Sequence, residues 1–233
     1  MVTHQLHKKR LIQLGEAKKN IFVIGSPGYE KVRKISLINK IKLQKILNLK
    51  FEKNNILITF HPTTNEVGKD KTYIDELLKS LNNFKKVKKI FTMPNSDVGG
   101  DLIKKQIQKF VKKDKRSVMF ESLGVKKYLS CMKYVDCVVG NSSSGIIESP
   151  ALKKISVNIG DRQKGRIIPK SVINCSNNHN SITRAIKKAL NKSKSKAFDY
   201  PYRVKNTSSL VCKIIENLKF KNLHKKKFVD INF

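Results

Sequence analysis

The sequence predicts an α/β protein whose centre is a parallel, doubly wound sheet of the Rossmann type. Two observations support this prediction. From residue 54 onward, short apolar runs typical of buried strands alternate with amphipathic stretches typical of helices, which indicates βαβ units with parallel strands. Polar loops rich in Ser, Gly, His and Arg follow several of these runs, and ligands of such sheets bind where the strands end.

The hydrophobic pattern assigns the elements of this region. Strands are predicted at 56–60, 87–93, 118–120, 135–139, 155–159 and 172–175. Helices are predicted at 71–84, 98–113, 125–133, 145–153 and 181–191. Pro150 limits the fourth of these helices to about two turns, because proline disrupts a helix interior.

The flanking regions contain further predicted elements. They are a helix over 6–14 that ends at Gly15, a strand over 20–24, a turn over 25–28, an amphipathic helix over 36–49 and a closing helix over 208–218. We therefore expect an N-terminal segment over 1–53, a Rossmann-like domain over 54–192, and a closing helix with a basic tail over 193–233.

The charge of the chain is extreme. Its 233 residues include 50 Lys+Arg against 17 Asp+Glu, a formal net charge of +33, which suggests nucleic acid or an anionic membrane as a partner. Most of the excess is Lys spread along the whole chain, and there is no Trp to stack on bases. This pattern favours compositional bias at exposed positions, but a basic nucleic-acid-binding module stays open as an alternative.

Cysteine usage and hydropathy point to a compartment. The four cysteines have no CxxC spacing and no His partner at metal-ligand spacing, which is typical of reduced thiols in a cytoplasmic protein. The N-terminus has no apolar signal-peptide core, and no apolar run reaches membrane-spanning length. We therefore expect a cytoplasmic protein with no membrane partner and no metal site.

The stretch 139–148, Val-Gly-Asn-Ser-Ser-Ser-Gly-Ile-Ile-Glu, is the strongest candidate for a binding loop. It leads from a predicted strand into a helix N-terminus, where backbone N–H groups and the helix dipole favour an anion. Its serines add donors, and its glycines let the backbone approach a ligand. Glu148 follows closely enough to accept hydrogen bonds from a sugar hydroxyl beside a bound phosphate. The alternative is a capping box that only starts the helix.

Other polar loops also follow predicted strands. His61 could donate to a phosphate or move a proton near neutral pH, although an isolated surface histidine is the alternative. Asn95 fits either a binding loop or a plain Asx turn. Arg162 and Arg166 suit a phosphate, although a solvated basic loop has the same composition. Loops that present His, Ser and Arg to one sheet edge are harder to attribute to chance than any single loop.

These loops match the motifs of one family. The matching stretches follow the family's order and are 10–16, 23–28, 59–64, 93–97, 140–148 and 158–166. The most specific pair is Gly-Asn-Ser-Ser-Ser-Gly-x-x-Glu with Gly-x-Arg-Gln-x-Gly-Arg. On these motifs the chain resembles the hydrolysing UDP-N-acetylglucosamine 2-epimerases of the sialic-acid-pathway type.

The resemblance implies a GT-B-like fold in which a UDP-sugar binds between two Rossmann-like halves, with no metal or nicotinamide cofactor. Ser142 and Ser143 would then hold the diphosphate, and Glu148 the ribose hydroxyls. Arg162 would face the nucleotide, and His61 would assist the departure of UDP by proton donation or charge neutralisation. The same motifs imply four further substrate-binding residues, namely Asn95, Asn141, Ser144 and Gly145.

The family reaction eliminates UDP across C1–C2 of the sugar, and water then adds to release the free 2-epimer. The family's N-terminal Rossmann domain, with the acidic residues that move the C2 proton, has no counterpart in this sequence. We therefore expect the chain to be a C-terminal portion, with 1–53 a remnant of that domain; a fragment, a split gene, a misplaced start codon and a decayed copy all stay open as its origin. The N-terminal domain could act fused or in trans, and we expect the full-length protein to be a homo-oligomer. The donor domain of a GT-B glycosyltransferase is a further alternative, but it explains the His and Arg loops less well.

Overall fold

The chain divides into two compact units in the computed structural model. The sheet unit is Ile35–Asp199, and the terminal unit combines Met1–Lys34 with Tyr200–Phe233. The structure describes residues 1–63, 68–192, 198–218 and 227–230. Parts of the predicted linker and basic tail therefore lie outside the described residues, and so does Thr64 of the predicted His-Pro-Thr-Thr loop.

A six-stranded sheet forms the centre of the sheet unit, and all of its strand pairs are parallel. Its strands are β1 Asn55–Thr59, β2 Lys88–Thr92, β3 Ser117–Phe120, β4 Cys137–Gly140, β5 Ile155–Ile159 and β6 Val172–Cys175. Their order across the sheet is β3-β2-β1-β4-β5-β6, which is the Rossmann order. The predicted fold class is confirmed, and every predicted strand of this unit overlaps an observed one.

Nine α-helices occur in the described residues. They are α1 Gln5–Gln13, α2 Pro27–Lys34, α3 Lys40–Leu47, α4 Asp70–Leu81, α5 Gly100–Lys113, α6 Gly124–Tyr134, α7 Glu148–Ala151, α8 His179–Lys192 and α9 Thr207–Glu216. Two short 3-10 turns, at Lys18–Asn20 and Ser143–Gly145, complete the helical elements of the described chain. Among these helices none is long and apolar enough to cross a membrane.

Helices cover both faces of the sheet. Each strand contributes to both of the resulting cores, because successive residues of a strand point to opposite sides. Ile56 and Ile58 are fully buried in a cluster formed with α4, α5 and α8. Leu57, between them, is fully buried in a second cluster, which includes Leu43 of α3 and Met132 of α6. A strand buried on both sides needs the continuous apolar run that predicted β1.

The first predicted boundary differs from the observed units. Residues 35–53, expected to belong with the N-terminal segment, pack within the sheet unit. Leu47, Leu49 and Phe51 join Leu43 in the second core cluster, against α6. The amphipathic pattern of this segment therefore serves the sheet, and α3 covers one of its faces.

Two predictions for the terminal unit are wrong. Residues 20–24 form no strand; their pairing is a single parallel bridge between Val2 and Val23, which is too short for a ladder. The predicted turn over 25–28 is the start of α2 instead. Pro27 is its first residue, and the fixed φ of proline suits that position.

Two other helices differ most from their predicted bounds. The helix predicted over 36–49 begins at Lys40, because the side chain of Asn39 caps it by accepting a hydrogen bond from the Lys42 N–H at 2.9 Å. Asn48 ends it in the left-handed conformation. The helix predicted over 145–153 is split into the 3-10 turn Ser143–Gly145 and the four-residue α7.

In the terminal unit, α9 is tied to the start of the chain. The Glu30 carboxylate accepts hydrogen bonds from the Ser208 N–H at 2.8 Å and the Ser208 hydroxyl at 3.1 Å. The Thr207 hydroxyl donates to the Ile24 carbonyl at 2.8 Å. A carboxylate at the N-terminus of a helix also interacts favourably with the helix dipole.

Candidate functional site

The candidate site lies where the strand order of the sheet reverses. β1 lies between β2 and β4, so the chain leaves β1 and β4 in different directions. The loops that follow β1, β2, β4 and β5 all start at the carboxyl edge of the sheet. This switch point is where doubly wound sheets form their ligand crevice.

Asn141, directly after β4, links three of these loops and is only 1% exposed. Its Oδ1 accepts a hydrogen bond from the His61 N–H at 2.7 Å, and its Nδ2 donates to the His61 carbonyl at 2.8 Å. Its own carbonyl accepts from Gln163 Nε2 at 2.7 Å and from Arg162 Nη1 at 3.3 Å. The amide predicted to contact substrate is therefore engaged with His61, and it holds the β1, β4 and β5 loops together.

The close approach of the β1 and β4 loops requires glycine at position 140. Gly140 has φ +138, and a Cβ there would collide with the Thr59 carbonyl oxygen. The same Thr59 carbonyl accepts a hydrogen bond from the Asn141 N–H at 3.3 Å. The glycine that opens the motif thus lets Asn141 reach His61.

The His61 ring is held by Asn95. Its Nδ1 accepts a hydrogen bond from the Asn95 N–H at 3.2 Å and lies 3.1 Å from Asn95 Oδ1. Asn95 Nδ2 in turn donates to Asp97 Oδ2 at 2.5 Å. The structure therefore brings the predicted residues His61 and Asn95 together, although they lie in loops after different strands.

Opposing influences act on the protonation of His61. Burial, followed by the positive charge of Arg162, lowers the pKa of His61 below its usual value. The Asn95 side chain and the Asp97 charge oppose this change but do not reverse it. The imidazole is therefore biased towards its neutral form in the free protein, and an added negative charge nearby would favour the imidazolium.

Arg162 supplies the positive charge at the centre of this group. Burial lowers its pKa, the Asp97 charge raises it, and Arg166 lowers it. Arg162 remains a cation at neutral pH despite this lowering, because the ordinary pKa of arginine is far above neutral. The neighbouring Gln163 is buried, and its hydrogen bond to the Asn141 carbonyl anchors the loop that carries Arg162.

The serine loop follows Asn141. Ser142 caps the 3-10 turn, since its Oγ accepts from the Ser144 N–H at 3.4 Å. The Ser156 hydroxyl of β5 donates to the Gly145 carbonyl at 2.6 Å and fixes the far end of the turn. Among the described residues, the Ser143 hydroxyl makes no hydrogen bond, so it is available to a ligand. Ser142 therefore has a capping role, but Glu148 lies too far along the chain to complete a capping box.

Tyr128 of α6 also contacts this loop, although no motif in the sequence indicates it. Its hydroxyl lies 2.6 Å from the Ser144 hydroxyl, so one of the predicted ligand groups is already paired within the protein. Burial, opposed by hydrogen bonds from Ser144 and Thr59, raises the pKa of Tyr128, and the nearby Glu148 charge adds to the increase. Glu148 is half-buried at the first position of α7.

Two open cavities lie along the carboxyl edge. One of about 490 Å³ is lined by Asn95, Asp97 and Glu121 among others, and the other, of about 510 Å³, is lined by residues that include Asn158 and Gln163. The predicted residues thus fall into a linked group around Asn141 and a neighbouring group in the serine loop. Gln163 and Tyr128 were missed as members of these groups. In the sequence, only the Gln of the Gly-Asp-Arg-Gln motif could have pointed to Gln163, and nothing pointed to Tyr128.

A doubly wound sheet with histidine, arginine and a serine loop gathered at its switch point defines the class: a Rossmann-type domain of the kind that binds nucleotides. The sequence profile of the UDP-N-acetylglucosamine 2-epimerase family matches residues 1–216. The chain belongs to this family.

Two relatives illustrate the similarity. The chain is 43% identical over 173 residues to the GDP/UDP-N,N'-diacetylbacillosamine 2-epimerase (hydrolyzing) of Campylobacter jejuni, covering 74% of this chain and 45% of the relative. It is 37% identical over 233 residues to the polysialic acid biosynthesis protein P7 of Escherichia coli, covering 97% of this chain and 58% of the relative. The chain thus spans about half the length of the curated relatives it matches.

Solved structures show the same fold. The UDP-GlcNAc 2-epimerase of Methanocaldococcus jannaschii, in complex with UDP-GlcNAc and UDP, aligns with a TM-score of 0.71 at 17% identity, over 92% of this chain and 59% of that one. The Neisseria meningitidis UDP-GlcNAc 2-epimerase bound to UDP-GlcNAc aligns with a TM-score of 0.59 at 13% identity, over 92% and 60%. These proteins are of the GT-B type, as the sequence predicted.

Proposed function

We propose that the chain is the UDP-binding portion of a hydrolysing UDP-N-acetylglucosamine 2-epimerase. The complete enzyme would convert UDP-GlcNAc or a related UDP-diacetamido sugar into UDP and the free 2-epimer, for the biosynthesis of sialic-acid-like sugars. The observation that carries the proposal is the Asn141 link, which joins His61 and Arg162 at the switch point. The names of the two relatives support the sugar class.

The diphosphate of UDP would bind between Arg162 and the serine loop. Arg162 offers a delocalised charge with several N–H donors, which match phosphate oxygens. Ser142 and Ser143 add hydroxyls, and the turn presents backbone N–H groups. Glu148, at the start of α7, would accept hydrogen bonds from the ribose hydroxyls.

The chemistry of the proposed reaction assigns His61 to the leaving group. A base removes the C2 proton, the C1–O bond breaks with its electron pair going to UDP, and a C1=C2 double bond forms. Water then adds, with its oxygen bonding to C1 and a proton to C2. The new proton arrives on the face opposite to the one that lost the original proton, which gives the free 2-epimer. His61 in its imidazolium form would neutralise or protonate the departing diphosphate. The dianionic ligand itself would favour that form, because opposite charge stabilises it.

The base would come from outside the described chain. We propose that an N-terminal domain acting in trans supplies the acidic groups that move the C2 proton, and that residues 1–34 belong to the remnant of such a domain. The homo-oligomer expected of the complete protein and its cytoplasmic location are parts of the same proposal. The sugar would then be processed between the two halves.

Calorimetry with UDP tests the binding half of this proposal. The titration should be run at about 0.15 M salt, where exposed charges farther apart than roughly 8 Å are largely screened. Arg162→Ala should weaken UDP binding roughly 10- to 100-fold, the effect of losing about 1.5–3 kcal/mol of charge-assisted hydrogen bonding. Lys164→Ala removes one positive charge from the same loop, but this side chain is 79% exposed and pairs with Asp161.

The Lys164→Ala control distinguishes binding of UDP at Arg162 from general attraction to the positive charge of the chain. Lys164→Ala should change the affinity less than about twofold, because an exposed ion pair contributes little. Equal losses in both variants, or an affinity for a short oligonucleotide far above that for UDP, would contradict the proposal and favour a basic nucleic-acid-binding module.

A further inference from the structure

The terminal unit contains a cluster of cations that has no part in the proposed function. The cluster lines an open cavity of about 360 Å³ between α2 and the segment that leads into α9. Its basic side chains are Arg33 and Lys34 on one wall and Arg203 and Lys205 on the other, and Glu30 is the single carboxylate of the lining. All of these residues belong to the terminal unit.

Arginine is rare in this chain, which makes its presence at the cavity informative. Only seven of the 50 basic residues are arginines, and the others are lysines spread along the sequence. Two of the seven line this cavity, and two more, Arg162 and Arg166, lie in one loop of the candidate site. A general bias towards lysine at exposed positions does not explain such pairs of arginines. The planar guanidinium is the basic group whose fork of N–H donors matches the oxygens of a phosphate.

The carboxylate of the lining does not neutralise these arginines. Glu30 lies 2.6 Å from Lys34 Nζ, and it also accepts the two hydrogen bonds from Ser208 that tie α9 to α2. Across the described part of the chain, no carboxylate pairs with the side chains of Arg33, Arg203 and Lys205. The cavity therefore presents three uncompensated positive charges to a ligand.

The fold holds both walls of the cavity in place. Residues three apart lie on one face of a helix, so α2 presents Arg33 on the same face as Glu30. On the other wall, the Arg203 N–H donates to the Tyr200 carbonyl at 3.0 Å, and the Tyr200 ring packs against Tyr29 with ring centroids 5.7 Å apart. The two sets of cations thus meet at one cavity without a ligand to bring them together.

Three cations around a cavity of this size favour a phosphate over other anions. A phosphate monoester carries about −1.5 to −2 charges at neutral pH and three strong acceptor oxygens, whereas a carboxylate offers one charge and two oxygens. Cavities of roughly 300–1,000 Å³ accommodate small molecules, so this one suits a small ligand better than a polymer. Tyr29 and Val204 add apolar surface to the lining, which suits a phosphate that is attached to an organic group.

We propose that this cavity binds the phosphate group of a small molecule, with Arg33 and Arg203 as its main ligands and Lys205 beside them. The proposal goes beyond the proposed function, because none of these side chains belongs to the candidate site. Both arginines are exposed, so their truncation should leave the fold intact.

Amide NMR of the full chain, titrated with inorganic phosphate at constant ionic strength, tests the cavity. The amide signals of residues 203–206 and of α2 should shift and saturate in the wild type. Arg33→Ala and Arg203→Ala should each weaken this binding roughly 10- to 100-fold, the effect of losing charge-assisted hydrogen bonds. Arg203→Lys keeps the charge but not the fork, so its affinity should lie between those of Arg203→Ala and the wild type.

Lys31→Ala is the matched control, because it removes one exposed positive charge from α2 outside the cavity lining. Its affinity for phosphate should stay within about twofold of the wild type. The absence of a saturable shift at 203–206 in the wild type would overturn the proposal, and so would equal losses in Lys31→Ala and Arg203→Ala. The amide spectrum of each variant also shows that it is folded.

Further probes identify the ligand and separate this cavity from the nucleotide site. Glucose 6-phosphate that binds more tightly than inorganic phosphate would support a phosphate monoester, and the reverse order would support the free ion. Acetate that binds as tightly as either would contradict the assignment to phosphate. Arg162→Ala should leave the shifts at 203–206 unchanged. A wild type that binds phosphate at 203–206 but does not bind UDP would support this proposal and contradict the proposed function.

Discussion

His61 is supported from two sides, and the two supports differ in burial. The Asn141 amide, 1% exposed, holds both backbone groups of His61, whereas the exposed Asn95–Asp97 pair holds the ring. Buried hydrogen bonds between uncharged groups respond little to salt or pH, but an exposed bond to a carboxylate responds to both. The difference suggests that folding fixes where the residue lies, while its protonation stays sensitive to what binds.

The largest expected effect comes from removing the His61 imidazole. In the enzyme completed with an N-terminal domain, fused or in trans, His61→Ala should lower turnover by roughly 10²- to 10⁴-fold, the usual contribution of general acid–base groups. The chain alone should bind UDP without releasing it from UDP-GlcNAc, since the proposed reaction takes its base from the N-terminal domain. UDP release in a coupled assay measures both.

His179→Ala is the matched control, because this histidine pairs with Glu76 at the start of α8 and has no part in the site. Its turnover should stay near the wild-type value. Turnover by the chain alone, unchanged by His61→Ala, would contradict both the role of His61 and the need for a second domain.

Alanine substitutions at Asn141 and Asn95 should show how much each support contributes to the free energy of unfolding. Asn141→Ala should lower the free energy of unfolding by roughly 2–4 kcal/mol, since it leaves two backbone groups of His61 without partners. Asn95→Ala removes the same amide from an exposed position and should change it by less than about 0.5 kcal/mol. Urea denaturation of the two variants measures the difference. Equal losses would show that burial does not distinguish the supports.

Glu148, which follows the serine loop, belongs to neither support of His61 and allows a comparison of two ligands, UDP and pyrophosphate. Glu148→Gln should weaken UDP by roughly 1.5–3 kcal/mol but leave pyrophosphate binding almost unchanged, because only UDP carries ribose hydroxyls for the carboxylate. Calorimetry with each ligand measures the two affinities, and Glu52→Gln, an exposed carboxylate paired with Arg116, serves as the control. Equal weakening of both ligands would mean that Glu148 acts on the helix and not on the ribose.

The smallest effect is a pH dependence of stability. The pKa of His61 is lowered in the folded chain by burial and by Arg162, so the unfolded chain binds the proton more readily. Stability from this residue is therefore fully present above its ordinary unfolded pKa and is lost as pH falls towards the lower folded value. His61→Gln should flatten the wild-type curve in this window. A wild-type chain that gains stability from His61 on acidification would show the opposite shift.

The sequence was sufficient for the sheet but not for the links across it. Ile155–Ile159 is buried on both faces, and its apolar residues at every second position predicted the strand with its observed bounds. The strand predicted over 20–24 failed because Val23 has a single bridge partner, Val2, and a short apolar run does not reveal whether a neighbouring strand exists.

The residues of the site were predictable where chain order alone places them. Parallel strands must end at one edge, so His61 and Arg162 were expected to converge. The engagement of Asn141 with His61 could not be predicted, because it joins residues separated by 80 positions and depends on how closely Gly140 lets two strands approach. Tyr128 was missed for the same reason: its helix periodicity indicates burial but not which hydroxyl it meets.

The position of Asn141 has a consequence for affinity. Three loops that would otherwise each lose conformational freedom when a ligand arrives are already joined through one buried residue. The entropy of ordering them is lost when the chain folds, so it no longer opposes binding. A ligand that reaches this edge should therefore meet a preorganised surface, and the entropy change on binding should come mainly from water and from the ligand's own rotors.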